Sequence, residues 1–276
     1  MPNKTKKFYD FLQQKSVWVR RETLKIHKIA QGTRLASSLS AVEIFTVLYY
    51  GNLIKFDPRN INWNKRDRFI ISKGHGAISL YPILADLGFF SKKELNSVCK
   101  DGSRLGGIPD PVTPGFETVN GSLGHGLGVA CGMAIALKLK KASEKVFILM
   151  GDGELYEGSV WEAIMFAGAH RLDNLILIID NNKVSMLDYC RNIINLEPIE
   201  QKFKDFNWFA TRLDGHNVKN FYNAIANLKI SKVLKPKVII ADTIKGKGVP
   251  RLETDCLSHI KSLKAEEIDA LLAEVK

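Results

Sequence analysis

Asp152 stands between two glycines in Gly151-Asp152-Gly153, directly after the apolar run 145–150. Asn182 closes Asp180-Asn181-Asn182, directly after a second apolar run, 175–179. The 30 residues from Asp152 to Asn182 are the span of one strand, loop, helix and next strand, so both side chains fall at the same edge of neighbouring strands. One anionic and one neutral oxygen ligand on adjacent loops suit Mg²⁺ held partly by protein and partly by a diphosphate. The glycines beside Asp152 let backbone N–H groups approach phosphate oxygens, and the helix that follows turns its N-terminus to the same place. Taken singly, each half reads equally well as a tight turn after a strand. Two further loops carry candidate groups: His75 in Lys73-Gly74-His75-Gly76 after the run 68–72, and Lys245-Gly246-Lys247-Gly248 after the run 238–241, with His259 downstream.

The elements that must position these groups follow from periodicity. Apolar spacing near 3.6 predicts helices over 17–30 and 41–50, the second with Ser40 as N-cap and Glu43 completing a capping box. Further helices are expected over 77–87, from Gly126 to about Lys140, and over 158–170. Strands that are apolar throughout and alternate with helices predict an α/β fold, a mostly parallel sheet with helices on both faces. Such sheets bind ligands just past the C-terminal ends of their strands, where the glycine loops stand. No repeat or linker divides the chain, which reads as a single domain over 1–276 with 1–15 as a basic N-terminal extension.

Composition narrows the class. The chain has 276 residues, 45% hydrophobic and 25% charged, which excludes disordered and fibrous classes. Lys and Arg number 40 against 29 Asp and Glu, a net charge of +11 that fits phosphorylated ligands, an acidic partner or nucleic acid. Aromatic and basic residues do not interleave as in single-strand binders, so nucleic acid is not expected as a partner. The basic residues crowding the first 28 positions read as a solvated helical face. Cys99, Cys131, Cys190 and Cys256 form no CxxC pair and suggest neither a zinc site nor a disulfide framework, which fits a reducing cytoplasm. No signal-peptide pattern and no membrane-length apolar run is present, so no membrane partner is expected. His27, His170 and Arg171 read as helix-surface residues, and His216 as part of a turn after Asp214-Gly215.

The glycine–aspartate–glycine triplet followed about 30 residues later by paired asparagines resembles the thiamine diphosphate signature. From Ser16 to Ser262 the chain resembles the N-terminal, pyrophosphate-binding half of transketolase. The segments that carry the likeness are 66–75, Gly121-Ser122-Leu123-Gly124-His125-Gly126, and 245–249 with His259. The resemblance implies the thiamine diphosphate-binding fold, thiamine diphosphate and Mg²⁺ as cofactors, and transfer of a two-carbon ketol unit from a ketose donor to an aldose acceptor. It implies that Asp152, Asn182 and the Val184 carbonyl ligate the metal. Cofactor contacts would come from His75, Gly121, Ser122, Leu123, Gly151, Gly153, Glu154 and His259. Glu157 and Glu162 match two glutamates that link paired active sites across the subunit interface, and apolar Trp161, Ala163 and Ile164 around them favour an interface there. It also implies a separate chain carrying the pyrimidine-binding domain, most simply in an α2β2 assembly.

Two positions depart from the transketolase pattern. Arg34, before Ser37-Ser38-Leu39-Ser40, and Ile108, before Pro109-Asp110, replace histidines that face the substrate in that family. A permanent cation and an apolar group cannot repeat what two imidazoles do, so substrates outside the ordinary pentose-phosphate set are expected, with Arg34 free to meet a carboxylate or phosphate. An acyl-transfer synthase using pyruvate, similar to deoxyxylulose-phosphate synthase, is the alternative enzyme reading; Ser37–Ser40 and Gly102-Ser103-Arg104-Leu105 favour transketolase. A degenerate scaffold is the non-enzyme alternative, opposed by the complete metal set.

Overall fold

The computed structural model describes residues 4–274. Five strands form one sheet in the order β1-β2-β3-β5-β4, and every neighbouring pair runs parallel. They are β1 (Arg68–Ile71), β2 (Val146–Gly151), β3 (Leu175–Asn181), β4 (Phe209–Asp214) and β5 (Lys237–Asp242). The expected parallel α/β sheet is therefore present. All seven residues of β3 are buried, which is why its sequence is apolar without alternation.

The helices are α1 (Lys6–Ile29), α2 (Leu35–Leu39), α3 (Val42–Tyr50), α4 (Leu80–Asp86), α5 (Gly126–Leu139), α6 (Gly158–Ala169), α7 (Cys190–Ile193), α8 (Ile199–Asp205), α9 (Val218–Ile230), α10 (Pro250–Glu253) and α11 (Ala265–Glu274). Successive strand residues point to opposite faces and so feed two cores. Phe69, Phe147, Leu149, Ile176, Ile178 and Ile239 pack beneath α1, α3, α4 and α9. Ile70, Ile148, Met150, Leu177, Ile179 and Ile240 pack beneath α5, α6 and α8. Each such Ile or Leu contributes about 1.5–3 kcal/mol on burial, which is ample to fix the strand register that carries the loops.

Residues 6–15 are built into α1, which starts at Lys6, capped by the Thr5 side chain on the Phe8 N–H, and Leu12 is fully buried. Two expectations need correction. Ser40 caps nothing; its hydroxyl donates to the Asp180 carboxylate at 2.6 Å, and Glu43 turns inward to Arg20 and His216. His27 is fully buried, because the segment after His259 folds back over α1. Strand β4 escapes the sequence reading because it is an edge strand, partly exposed along its length, with no apolar run to mark it. No helix among the described residues is long and apolar enough to cross a membrane.

Candidate active site

Four neighbouring strands deliver the chemistry at their C-terminal ends: β1 leads to Lys73 and His75, β2 to Asp152, β3 to Asn182, and β5 to Lys245. A cavity of about 740 Å³ opens there, lined among others by Asp152, Asn182, Val184, Lys245, Tyr189 and Arg212. The parallel register makes this convergence automatic, since Gly151 of β2 lies beside Asp180 of β3, and Asn181 beside Asp242 of β5.

Asp152 is buried, and its carboxylate accepts the N–H of Gly153 at 2.9 Å and that of Lys183. The Asn182 side-chain oxygen accepts the Val184 N–H at 3.2 Å, and the Val184 carbonyl accepts the Lys245 ammonium at 2.8 Å. Burial, then the neighbouring Asp180 charge, pushes the Asp152 carboxyl up to about 6. A carboxylate, an amide oxygen and a main-chain carbonyl form a set of hard oxygens, and the buried carboxylate beside a second one favours a cation. That chemistry fits Mg²⁺ completed by diphosphate oxygens. Among the described residues no cluster of three or more His, Cys, Asp or Glu offers another metal site.

Beneath this set lies a buried ion pair absent from the sequence reading. Lys73 is paired with Asp180, both essentially inaccessible, and also donates to the Ser37 carbonyl at 3.1 Å. Ser40 and Thr243 donate to the same aspartate. Burial alone would raise the Asp180 carboxyl, but Lys73 and the two hydroxyls hold it below the ordinary carboxylate range. The signal was available in sequence, as the lysine before Gly74-His75 and the aspartate before Asn181-Asn182. Lys245, noted only as part of a glycine loop, proves equally central: its ammonium also donates to the Ser185 carbonyl at 3.0 Å.

His75 and His259, distant in sequence, meet with ring centroids 4.9 Å apart, and His259 Nδ1 lies 3.3 Å from the Ser37 hydroxyl. Burial, then nearby Lys73, holds His75 well below its ordinary value, and burial followed by Lys245 and Arg34 brings His259 to about 4. Arg34 is exposed at the N-terminus of α2, close enough for its charge to act on both imidazoles. Ile108 packs over the Gly121 backbone, where a Cβ would stand 3.0 Å from its Cδ1. Arg34 therefore stands near the two imidazoles, and Ile108 against the Gly121–Gly124 loop.

Gly121 and Ser122 are exposed and Leu123 half-buried. Glu154 works from below: its Oε1 accepts the Gly124 N–H at 3.0 Å and the Ser72 hydroxyl, and its buried Oε2 has no partner. Its place in the site is thus as a support of the loop. Gly124 needs its glycine, with φ +89° and a Cβ position only 2.7 Å from that of Glu157. Glu157 and Glu162 are exposed, and Glu162 lines a groove of about 440 Å³ between α5 and α6 with Gly128, Gly132 and Phe166. Of the apolar neighbours expected to form an interface, Ala163 borders this groove, whereas Ile164 is core and Trp161 donates to the Leu155 carbonyl at 2.7 Å. The exposed apolar residues of this face are Val129, Met165 and Phe166.

The buried His27 yields a pH prediction. Its Nδ1 lies 2.8 Å from the Thr33 hydroxyl, whose hydrogen goes to the Ala30 carbonyl, while Nε2 faces the Leu263 N–H at 3.4 Å. Burial lowers it from 6.5 to about 4. As pH falls through that window the unfolded chain binds a proton first, so this stabilisation is complete above about 6.5 and lost towards 4, by about 3 kcal/mol. Urea midpoints of wild type and H27Q should accordingly converge between pH 7.5 and pH 4.5. A gap that stays constant would sink the assignment.

Residues 20–275 match the family model described as transketolase, thiamine diphosphate binding domain. The chain is 39% identical over 267 residues to the 6-deoxy-6-sulfo-D-fructose transketolase subunit of a Clostridium species, covering 96% of each chain. It is 36% identical to one of the subunits of apulose-4-phosphate transketolase from Actinobacillus succinogenes, covering 97% of each. Among solved structures, transketolase from Campylobacter jejuni superposes with a TM-score of 0.88 at 30% identity, over 96% of this chain and 42% of that one.

Proposed function

This chain belongs to the transketolase family, in its thiamine diphosphate-binding N-terminal part, and from that premise we propose that it is the cofactor-anchoring subunit of a two-chain ketol transferase. The observation that carries the reading is the oxygen set of Asp152, Asn182 and Val184, with Lys245 beside it, at the sheet edge that also gathers His75 and His259. Thiamine diphosphate, when bound, supplies the electron sink for breaking and forming the carbon–carbon bond. The chain's own residues anchor and orient. Asp152, Asn182 and the Val184 carbonyl would hold Mg²⁺, and Lys245 would add positive charge for the diphosphate. His75 and His259, both kept uncharged, can each donate or accept a hydrogen bond at a substrate hydroxyl through one ring nitrogen.

The chain spans less than half of the single-chain transketolases it matches, 42% of the bacterial one and 38% of the human one. It spans nearly all of the relatives whose names call them subunits. A separate pyrimidine-binding subunit is therefore the proposed partner, docked on the α5–α6 groove with Glu157 and Glu162 at the contact, in an α2β2 assembly. Four free cysteines support a reducing, cytoplasmic location.

The proposed substrates are phosphorylated or otherwise anionic sugars outside the ordinary pentose-phosphate pair. Arg34 supports this, as an exposed guanidinium near two imidazoles, and the names of two relatives carry a sulfosugar and a sugar phosphate. With its partner chain, the enzyme should turn over xylulose 5-phosphate and ribose 5-phosphate at least about a hundredfold slower than its own pair, a loss of ~2.7 kcal/mol in transition-state binding. High turnover of the ordinary pair would overturn the substrate assignment. Absence of any thiamine diphosphate-dependent ketol transfer would favour the scaffold reading.

A further inference from the structure

A second buried polar cluster lies outside the cavity and contributes no residue to its lining. Glu43 of α3, only 3% exposed, receives Arg20 of α1 on Oε1 at 2.7 Å and His216 Nδ1 on Oε2 at 2.8 Å. Both partners reach onward to one loop. Arg20 Nε donates to the Lys247 carbonyl at 2.8 Å, and the Ile244 N–H donates to His216 Nε2 at 2.9 Å. The loop between these anchors carries Lys245, whose ammonium rests on the Val184 and Ser185 carbonyls. Gly248, at φ +90°, leaves room for the Arg20 side chain, which a Cβ there would strike. Three elements remote in sequence thus grip the main chain on both sides of Lys245.

We propose that Arg20, Glu43 and His216 are positioning residues that fix the Ile244–Gly248 loop from behind, and that this grip sets the affinity of the site for a diphosphate-bearing cofactor. The inference rests on the proposed function for its second half only. The reason is geometric: a lysine on a flexible stem contributes to an anion site in proportion to how well its backbone is held. Gly246 is further tied to the Ala36 carbonyl at 2.9 Å and Gly248 to Glu253 at 2.7 Å, but the Ile244 N–H and the Lys247 carbonyl, on either side of Lys245, are held by His216 and Arg20. None of the three residues lines the cavity.

The test uses the full chain, with Mg²⁺-thiamine diphosphate as the calorimetric probe and hydrogen exchange over 244–249 as the structural readout. His216→Asn keeps a donor for Glu43 but takes away the acceptor for Ile244. Its exposed amide should exchange about tenfold faster or more, with cofactor affinity down by a similar factor. His216→Gln restores an acceptor at the Nε2 position and should return both values to within about threefold of wild type. Arg20→Lys, which keeps charge at Glu43 and loses the Nε donor, is the second variant and should loosen the same loop. Glu117→Gln, breaking the Arg66 pair at the opposite end of β1, controls for general destabilisation and should move neither value. Unchanged loop exchange in H216N and R20K overturns the proposal, as does a loosened loop with unchanged affinity. A wild-type chain that binds no cofactor even together with its pyrimidine-binding subunit overturns the functional reading instead, and the exchange data then still decide whether the network orders the loop.

Discussion

Asp152→Asn is expected to weaken Mg²⁺-dependent binding of thiamine diphosphate by about a hundredfold or more, ~2.7 kcal/mol, while leaving the cofactor-free chain as stable as wild type or more so. The two effects have one cause. Asp152 is buried next to Asp180, and its carboxyl is pushed up to about 6. A group whose folded value lies above its unfolded one destabilises the fold at neutral pH and ceases to do so below the unfolded value. Asparagine removes that charge, keeps the volume, and retains an oxygen for the Gly153 or Lys183 amide. A cation at the site turns the same charge from a cost into the principal attraction. Calorimetry with Mg²⁺ and thermal unfolding without it measure the two sides separately. Unchanged cofactor affinity would remove Asp152 from the metal set, and a markedly destabilised D152N would show that the carboxylate serves the fold.

Such a carboxylate was readable in sequence because the strands flanking it are apolar throughout. Runs like 146–150 and 175–179 fix where a strand ends, and the residue past that end faces the ligand edge. His75 was legible for the same reason, in a glycine loop at the end of a strand, whereas the role expected of Gly121–Gly124 came from the resemblance to transketolase alone. Lys73 and Asp180 sit beside legible loops and were passed over; the other residues that escaped reading have no local signature. Ser40 looks like a helix cap until Asp180, 140 residues away, claims its hydroxyl. His27 looks like a helix-surface residue and His216 like part of a turn until Leu263 and Glu43, each more than 150 residues distant, pack against them. Glu43 fits a capping box equally well and is instead the hub of a buried network. Polar residues declare their role through tertiary partners, and one-dimensional spacing cannot list them. The charge balance also reads differently in three dimensions. Lys73, Lys245 and Arg34 act together on the imidazoles of the site, so part of the +11 is concentrated where an anionic cofactor would bind.

The second large effect is expected beneath the site. Lys73→Met should cost about 3–5 kcal/mol, because it strands the Asp180 carboxylate in the interior with only hydroxyl donors left. Against a total of about 5–15 kcal/mol for a folded domain, that loss should appear as a large fall in the urea midpoint. Asp180→Asn in the same chain removes the stranded charge, and its amide can still serve Ser40 and Thr243. The double variant should therefore recover a substantial part of the loss, with a coupling of at least about 2 kcal/mol between the two positions. Cofactor binding should follow a different pattern. Lys73 also holds the Ser37 carbonyl, and Ser37 faces His259, so K73M/D180N keeps its fold yet leaves the α2 end of the site without its tether. Stability is expected to recover in the double variant while thiamine diphosphate affinity stays low. Additive losses in stability would show that the two residues do not act as a pair, and full recovery of affinity would show that the pair supports the fold alone.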